Sequence, residues 1–146
     1  MRNNELEAVL HEEIPLTRAM GLTVSEVSEG AISLQAPLQP NINHKSTAFG
    51  GSLYSVCVLT GWGMIYSRLS ELKLHAHIVI QESHIQYIKP VASNIDASCR
   101  IDNPEQFQRF IKLFKRKGKS RIQLKVTVHQ DDQLAVEFTG NYVIHQ

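Results

Sequence analysis

A chain of 146 residues suits one domain, 1–146, with a core of its own. Its 42% hydrophobic and 20% charged residues exclude a disordered polymer and a membrane-spanning bundle. A net charge of +1 gives no overall pull toward nucleic acid or a membrane surface.

The first residues, MRNNELEAVLHEEI, read as no signal peptide, because Glu5, Glu7, Glu12 and Glu13 interrupt any apolar stretch. Leu6, Val9 and Leu10 are spaced for one face of a short helix. Pro15 opens a second short turn, PLTRAM, which Gly21 ends. Two strands, Leu22 to Val27 and Ala31 to Leu38, flank the turn residues Ser28-Glu29-Gly30. Ile32, Leu34 and Ala36 alternate with Ser33 and Gln35, so one face of this hairpin is wet.

Residues 39 to 49 form a polar loop without periodicity, closed by Gly50-Gly51. A helix follows from about Ser52 to Leu69. Leu53, Val56, Cys57, Val58, Leu59, Trp62, Met64 and Ile65 point in nearly every direction around it, so it must be buried. The apolar run is too short to span a bilayer. Gly61 and Gly63 cost roughly 1 kcal/mol each relative to Ala, which implies close approach of a neighbouring backbone.

His77 to Lys89 is a long strand ended by Pro90, and Ile95 to Ile101 is another. Asn103-Pro104-Glu105 is a helix start. Phe107, Phe110, Ile111 and Phe114 then mark an amphipathic helix over 104–117 that Gly118 ends. Ile122, Leu124, Val126 and Val128 alternate, Asp131-Asp132 turns the chain, and Leu134, Val136, Phe138 and Tyr142 make the last strand. Six strands and one buried helix predict an α+β fold, an antiparallel sheet wrapped around that helix. A three-layer arrangement is the alternative, with 104–117 its only second long helix.

The stretch Asn41-Ile-Asn-His-Lys-Ser-Thr-Ala-Phe-Gly-Gly-Ser-Leu-Tyr54, followed by Thr60-Gly61-Trp62, resembles the thioesterase family similar to the C-terminal half of the YiiD protein. The likeness runs from Ile14-Pro15-Leu16 and Met20-Gly21 through Tyr87-Ile88-Lys89-Pro90 to the last strand. It implies a hot-dog fold and a homodimer with paired sheets, extensible to a dimer of dimers. It also implies acyl-thioester sites at the subunit interface, taking acyl-CoA or an acyl-carrier protein. Hot-dog domains host thioesterases, dehydratases and non-catalytic members, so the fold alone does not fix a reaction.

Elementary chemistry points to the same place. The start of a helix leaves N–H groups without partners and carries partial positive charge, and glycines let a carbonyl come close. Gly51 is therefore the expected oxyanion donor, with Gly50 beside it; the alternative is a tight turn into the helix. Asn43, seven residues before Gly50, resembles the Asn that phenylacetyl-CoA-type thioesterases place ahead of a His-Gly-Gly. It would position water or thioester, or else cap its own loop. Loss of hydrolysis in Asn43→Ala is the expectation from the first role. Phe49, Leu53 and Tyr54 are the expected acyl-pocket residues.

Two departures stand out. Phe49 replaces the His of those thioesterases, and Val58 stands where they carry an acidic base or nucleophile. Valine cannot take a proton or form an acyl anhydride. Glu82 and His84, two apart on one strand face, are the replacement bases, Glu82 first; a solvated or interface-facing strand is the alternative. His44 is a further imidazole, on the loop. Cys57, among apolar neighbours, reads as packing. The cationic run with Lys115, Arg116 and Lys117 would grip coenzyme A phosphates or an acidic carrier, or be a solvated helix end. It has no aromatic-rich module, so nucleic acid is not the partner. His75 and His77 lack a third ligand, so no metal is expected, and no other cofactor. Cys57 and Cys99 lie on separate elements and read as free thiols of a cytoplasmic protein.

The expected activity is thus acyl-thioester hydrolysis. A non-catalytic acyl-thioester binding module is the alternative, favoured by Val58 and Phe49. A dehydratase is disfavoured, since its His and helix acid have no counterpart.

Overall fold

Two short helices lead the chain, α1 (Asn3–Glu13) and α2 (Leu16–Met20), and both bury leucine, threonine or methionine on one side. The structure is a computed structural model that describes residues 1–146. Then come β1 (Thr23–Val27), β2 (Ala31–Ala36), a 3-10 turn (Gln39–Asn41) and the long helix α3 (Gly50–Glu71). The second half holds β3 (His77–Tyr87), β4 (Ile95–Arg100), α4 (Pro104–Lys117), β5 (Lys119–Gln130) and β6 (Gln133–His145).

The six strands form one sheet in the order β1-β2-β4-β5-β6-β3, and every pair is antiparallel. Local chemistry explains the joints. Asp131 and Asp132 both take positive φ, the requirement of a type I′ hairpin turn, and Gln130 pairs with Gln133 across them. Asn103 caps α4 through its side-chain oxygen, with Pro104 at the first helical position. Gly118, at φ 74°, ends α4 in the left-handed region.

Helix α3 lies against this sheet. Leu53, Val56, Cys57, Leu59, Met64, Ile65 and Leu69 enter a core shared with Ile32, Leu34, Val126, Phe138 and Ile144. The helix is not covered all round, however. Ser55, Val58, Trp62 and Tyr66, spaced three or four apart, form a partly open seam, with the Trp62 and Tyr66 rings stacked 5.1 Å apart. One sheet covers one side of a helix, and within the single chain no second layer covers this seam.

Gly61 and Gly63 do mark close approach, but to side chains rather than to backbone. A Cβ at position 61 would fall within the Tyr142 phenol, and one at 63 would lie 2.9 Å from Ile32 Cδ1. The Tyr142 hydroxyl donates to the Val58 carbonyl at 2.7 Å, so β6 is plugged into the groove of α3.

Candidate active site at the start of the long helix

The loop before α3 is tied down by its asparagines. Asn41 is buried, and its amide donates to the Met20 and Pro37 carbonyls at 2.9 and 2.8 Å. Its own carbonyl accepts from Phe49 N at 2.8 Å. Ile42 and Ala48 bridge, closing residues 43 to 47 into a tight turn. Inside that turn Asn43 donates to Thr47 Oγ1 at 2.9 Å and to the Ala48 carbonyl at 3.4 Å. Its oxygen accepts from Lys45 N at 2.8 Å and Thr47 N at 3.1 Å. An amide has two donors and two acceptor sites, and all are occupied. Of the two roles read from the sequence, this geometry supports the loop cap. Asn43→Ala is expected to cost about 1–2 kcal/mol and to speed amide exchange at Lys45 and Thr47. Unchanged exchange with lost activity would return Asn43 to direct chemistry.

That fixed loop delivers Phe49 in extended backbone as the residue before the helix, and its carbonyl accepts from Leu53 N at 3.0 Å. No side chain caps the helix, so the N–H groups of Gly50, Gly51 and Ser52 have no partner. Phe49 is 56% exposed, and its ring lies where a Cβ at Gly51 would stand. On the other side the exposed Tyr87, last residue of β3, donates its hydroxyl to the Gly50 carbonyl at 2.9 Å. Tyr54 meets Ser83 through their hydroxyls at 2.6 Å and sets its ring edge-on to Phe138 at 5.7 Å. Phe49, Gly50, Gly51, Leu53 and Tyr54 are thus brought together, and Leu53 is the member buried in the core.

The other expected site residues are not brought to this place in the single chain. A β-bulge falls between Ile80 and Glu82. Beyond it Ser83 and Ile85 turn toward α3, so Glu82 and His84 sit exposed on the opposite face of the sheet. His44 stands at the exposed tip of the loop. Val58 is half-buried on the open seam. Cys57 is a buried free thiol whose pKa burial pushes up to about 12, and burial does the same to Cys99. Neither thiol is a ready nucleophile at neutral pH. Lys115, Arg116 and Lys117 are exposed in the last turn of α4. That helix shares a groove with Arg68 and Leu72, at the far end of α3. Leu72 lies about 30 Å along the helix from Gly51 at 1.5 Å per residue, too far for these cations to share a site with the helix start of their own chain. His77 stacks near His145, ring centroids 5.2 Å apart, and no three His, Cys, Asp or Glu side chains gather as a metal site.

The sequence model of a family described as "putative thioesterase", of the YiiD C-terminal type, matches residues 3–146. The chain belongs to this family. Its fold is similar to a protein of unknown function from Chlorobaculum tepidum TLS, at 35% identity and TM-score 0.94, over 99% of this chain and 94% of that one. A "putative thioesterase" from Shewanella oneidensis matches at 32% identity and TM-score 0.84, over 99% and 97%. The E. coli PaaI protein of the phenylacetic acid degradation operon matches at 14% identity and TM-score 0.67, over 97% and 91%, which speaks to fold alone. Membership in the YiiD C-terminal family supports thioester hydrolysis in general, on a hot-dog fold. No helix is long and apolar enough to cross a membrane.

Sequence reasoning about this family member passed over two residues, Asn41 and Tyr87. Both lie in the stretches that carry the family likeness. Pro90 marks where that strand must end, but no signal in the sequence sets Tyr87 beside the helix start.

Proposed function

We propose that the chain hydrolyses acyl thioesters of coenzyme A or of an acyl-carrier protein at the start of α3. The carrying observation is three adjacent N–H groups, Gly50 to Ser52, left without partners at the head of a 22-residue helix. Backbone donors and the helix dipole converge there, and Phe49 and Tyr87 supply aromatic walls. In this reading the thioester carbonyl accepts from Gly51 N–H. Water adds to the carbonyl carbon, the oxyanion forms against the amide, and the thiol leaves as the carbonyl re-forms. Asn43 holds the loop that positions Phe49 and Gly50. Leu53 and Tyr54 line the acyl side.

Glu82 and His84 face away from their own helix start, so the base that activates water comes from elsewhere. A second copy fits this need. Strand β3 is a sheet edge of 11 residues, paired on one side only, and Val79 and Tyr87 on it are exposed. An unpaired edge of this length invites another strand. We therefore place the homodimer along β3, in a reducing cytoplasm that suits two free thiols. The test is a panel of acyl-CoAs of increasing chain length. Release of thiol above background is the expected result, and none across the panel sinks the hydrolase.

The second reading, binding without turnover, draws on Val58 at the usual acid position and on the outward Glu82 and His84. Saturable coenzyme A binding with no thiol release would establish it.

A further inference from the structure

The peptide unit joining Gly50 to Gly51 is gripped on one edge and free on the other. Its carbonyl accepts the Tyr87 hydroxyl at 2.9 Å, beside the bond that the helix ladder itself supplies. Its N–H, on the opposite edge of the same planar unit, has no partner. A hydrogen bond to an amide oxygen draws electron density from the nitrogen and strengthens the N–H as a donor. It also fixes the rotation of the plane, which matters between two glycines that have no Cβ to limit it.

Tyr87 is well placed to hold that plane still. It pairs with Val136 at the end of the β3–β6 ladder, and the next two N–H groups, of Ile88 and Lys89, both reach the Ala135 carbonyl. The phenol therefore hangs from a sheet rather than from a loop. Its ring makes only ordinary contact with Gly50, 3.5 Å from where a Cβ would stand, and is 52% exposed. Packing would be served as well by phenylalanine; the hydroxyl is the part that packing does not explain. Desolvation of that hydroxyl, with the nearby Cys57 and Tyr54 groups, holds Tyr87 above the ordinary tyrosine range, so it remains a donor at neutral pH.

We propose that Tyr87 is a positioning residue of the thioester site: its hydroxyl orients and polarises the Gly50–Gly51 peptide so that Gly51 N–H meets the developing oxyanion. This rests on the preceding assignment of the thioester carbonyl to Gly51. The test is Tyr87→Phe in the full chain, with two readouts. The kcat for acyl-CoA hydrolysis is expected to fall about ten-fold with KM within about two-fold, since the polarised amide acts on the transition state. In 15N-labelled protein the Gly51 amide proton is expected to move upfield as its nitrogen regains electron density. An unmoved Gly51 resonance, or an unchanged kcat, overturns the proposal. A parent protein that hydrolyses no acyl-CoA would sink the hydrolase instead, and the Gly51 resonance alone then decides the role of Tyr87. Where the variant folds poorly, raising the pH on the parent gives the same reading. Ionisation of Tyr87 removes the donated proton, and the Gly50 carbonyl carbon and Gly51 nitrogen, followed by carbon-detected spectra that need no amide proton, must titrate together with it or the proposal fails.

Discussion

Replacing Gly51 by proline is expected to lower kcat for acyl-CoA hydrolysis about 10²- to 10³-fold, the usual cost of one oxyanion donor. Proline deletes the N–H and nothing else of the helix ladder, because the first-turn N–H groups make no intrahelical bond. Residue 51 is the second of α3, and Gly50 before it, without a Cβ, leaves only its backbone N–H to crowd the new ring. The ring does meet Phe49, whose exposed side chain has room to swing aside. Stability is therefore expected to change by about 1 kcal/mol, and KM is expected to rise as well, because the ring Cδ stands where the N–H met the carbonyl. Full activity in a folded Gly51→Pro protein would remove the oxyanion assignment, whatever became of the family's general activity. Gly51→Ala is the informative companion. It keeps the N–H, displaces Phe49, and so reports on the aromatic wall alone.

The largest effect on stability is expected at Gly61. A methyl group there would occupy the phenol of Tyr142, which is fully buried and bonded to the Val58 carbonyl. Overpacking costs about 1–3 kcal/mol, and a displaced buried hydroxyl adds about 1–3 kcal/mol. The better helix propensity of alanine returns about 1 kcal/mol. Gly61→Ala should thus lose about 1–5 kcal/mol in urea unfolding, read as a fall in midpoint at constant slope. Gly30→Ala is the control, since nothing lies within 4 Å of its Cβ position. Adding Tyr142→Phe to Gly61→Ala removes the atom nearest the clash, and a positive coupling in that double-mutant cycle identifies the cause. A loss under about 0.5 kcal/mol would mean that α3 and β6 slide apart easily.

The order of elements was legible because each carries its own period. Alternation marks β2 and β5, a three-four repeat marks α4, and asparagine, proline and glycine punctuate them. The helix that matters most was read two residues short at each end, and at its start because Gly50-Gly51 looks like the end of a loop by propensity. Those glycines are the first helical residues instead, a place where no intrahelical N–H bond is needed.

Glu82 shows where sequence stops informing. Ile78 and Ile80 turn inward, and strict alternation would carry Glu82 and His84 to the same side. The bulge at Gln81 inserts one residue and reverses the parity, so Ser83 and Ile85 face the helix. A shared face was predictable from spacing of two; which face it is was not. Asn43 shows a different limit. Its residue type fits water, thioester and loop backbone equally, and only the four distances to its own turn separate them.

The cations of α4 have a consequence that the net charge conceals. Residues 106–130 contain eight of the 15 Lys and Arg and none of the 14 Asp and Glu, leaving seven cations against 14 acids in the rest. The last turn of α4, with Lys115, Arg116 and Lys117 exposed, is therefore a local cationic patch on a molecule of nearly zero net charge. Far away the molecule is almost invisible; within a Debye length of about 8 Å at physiological salt, that patch attracts an acidic surface. Local charge at the end of α4, and not the net charge, is then what an acidic partner meets.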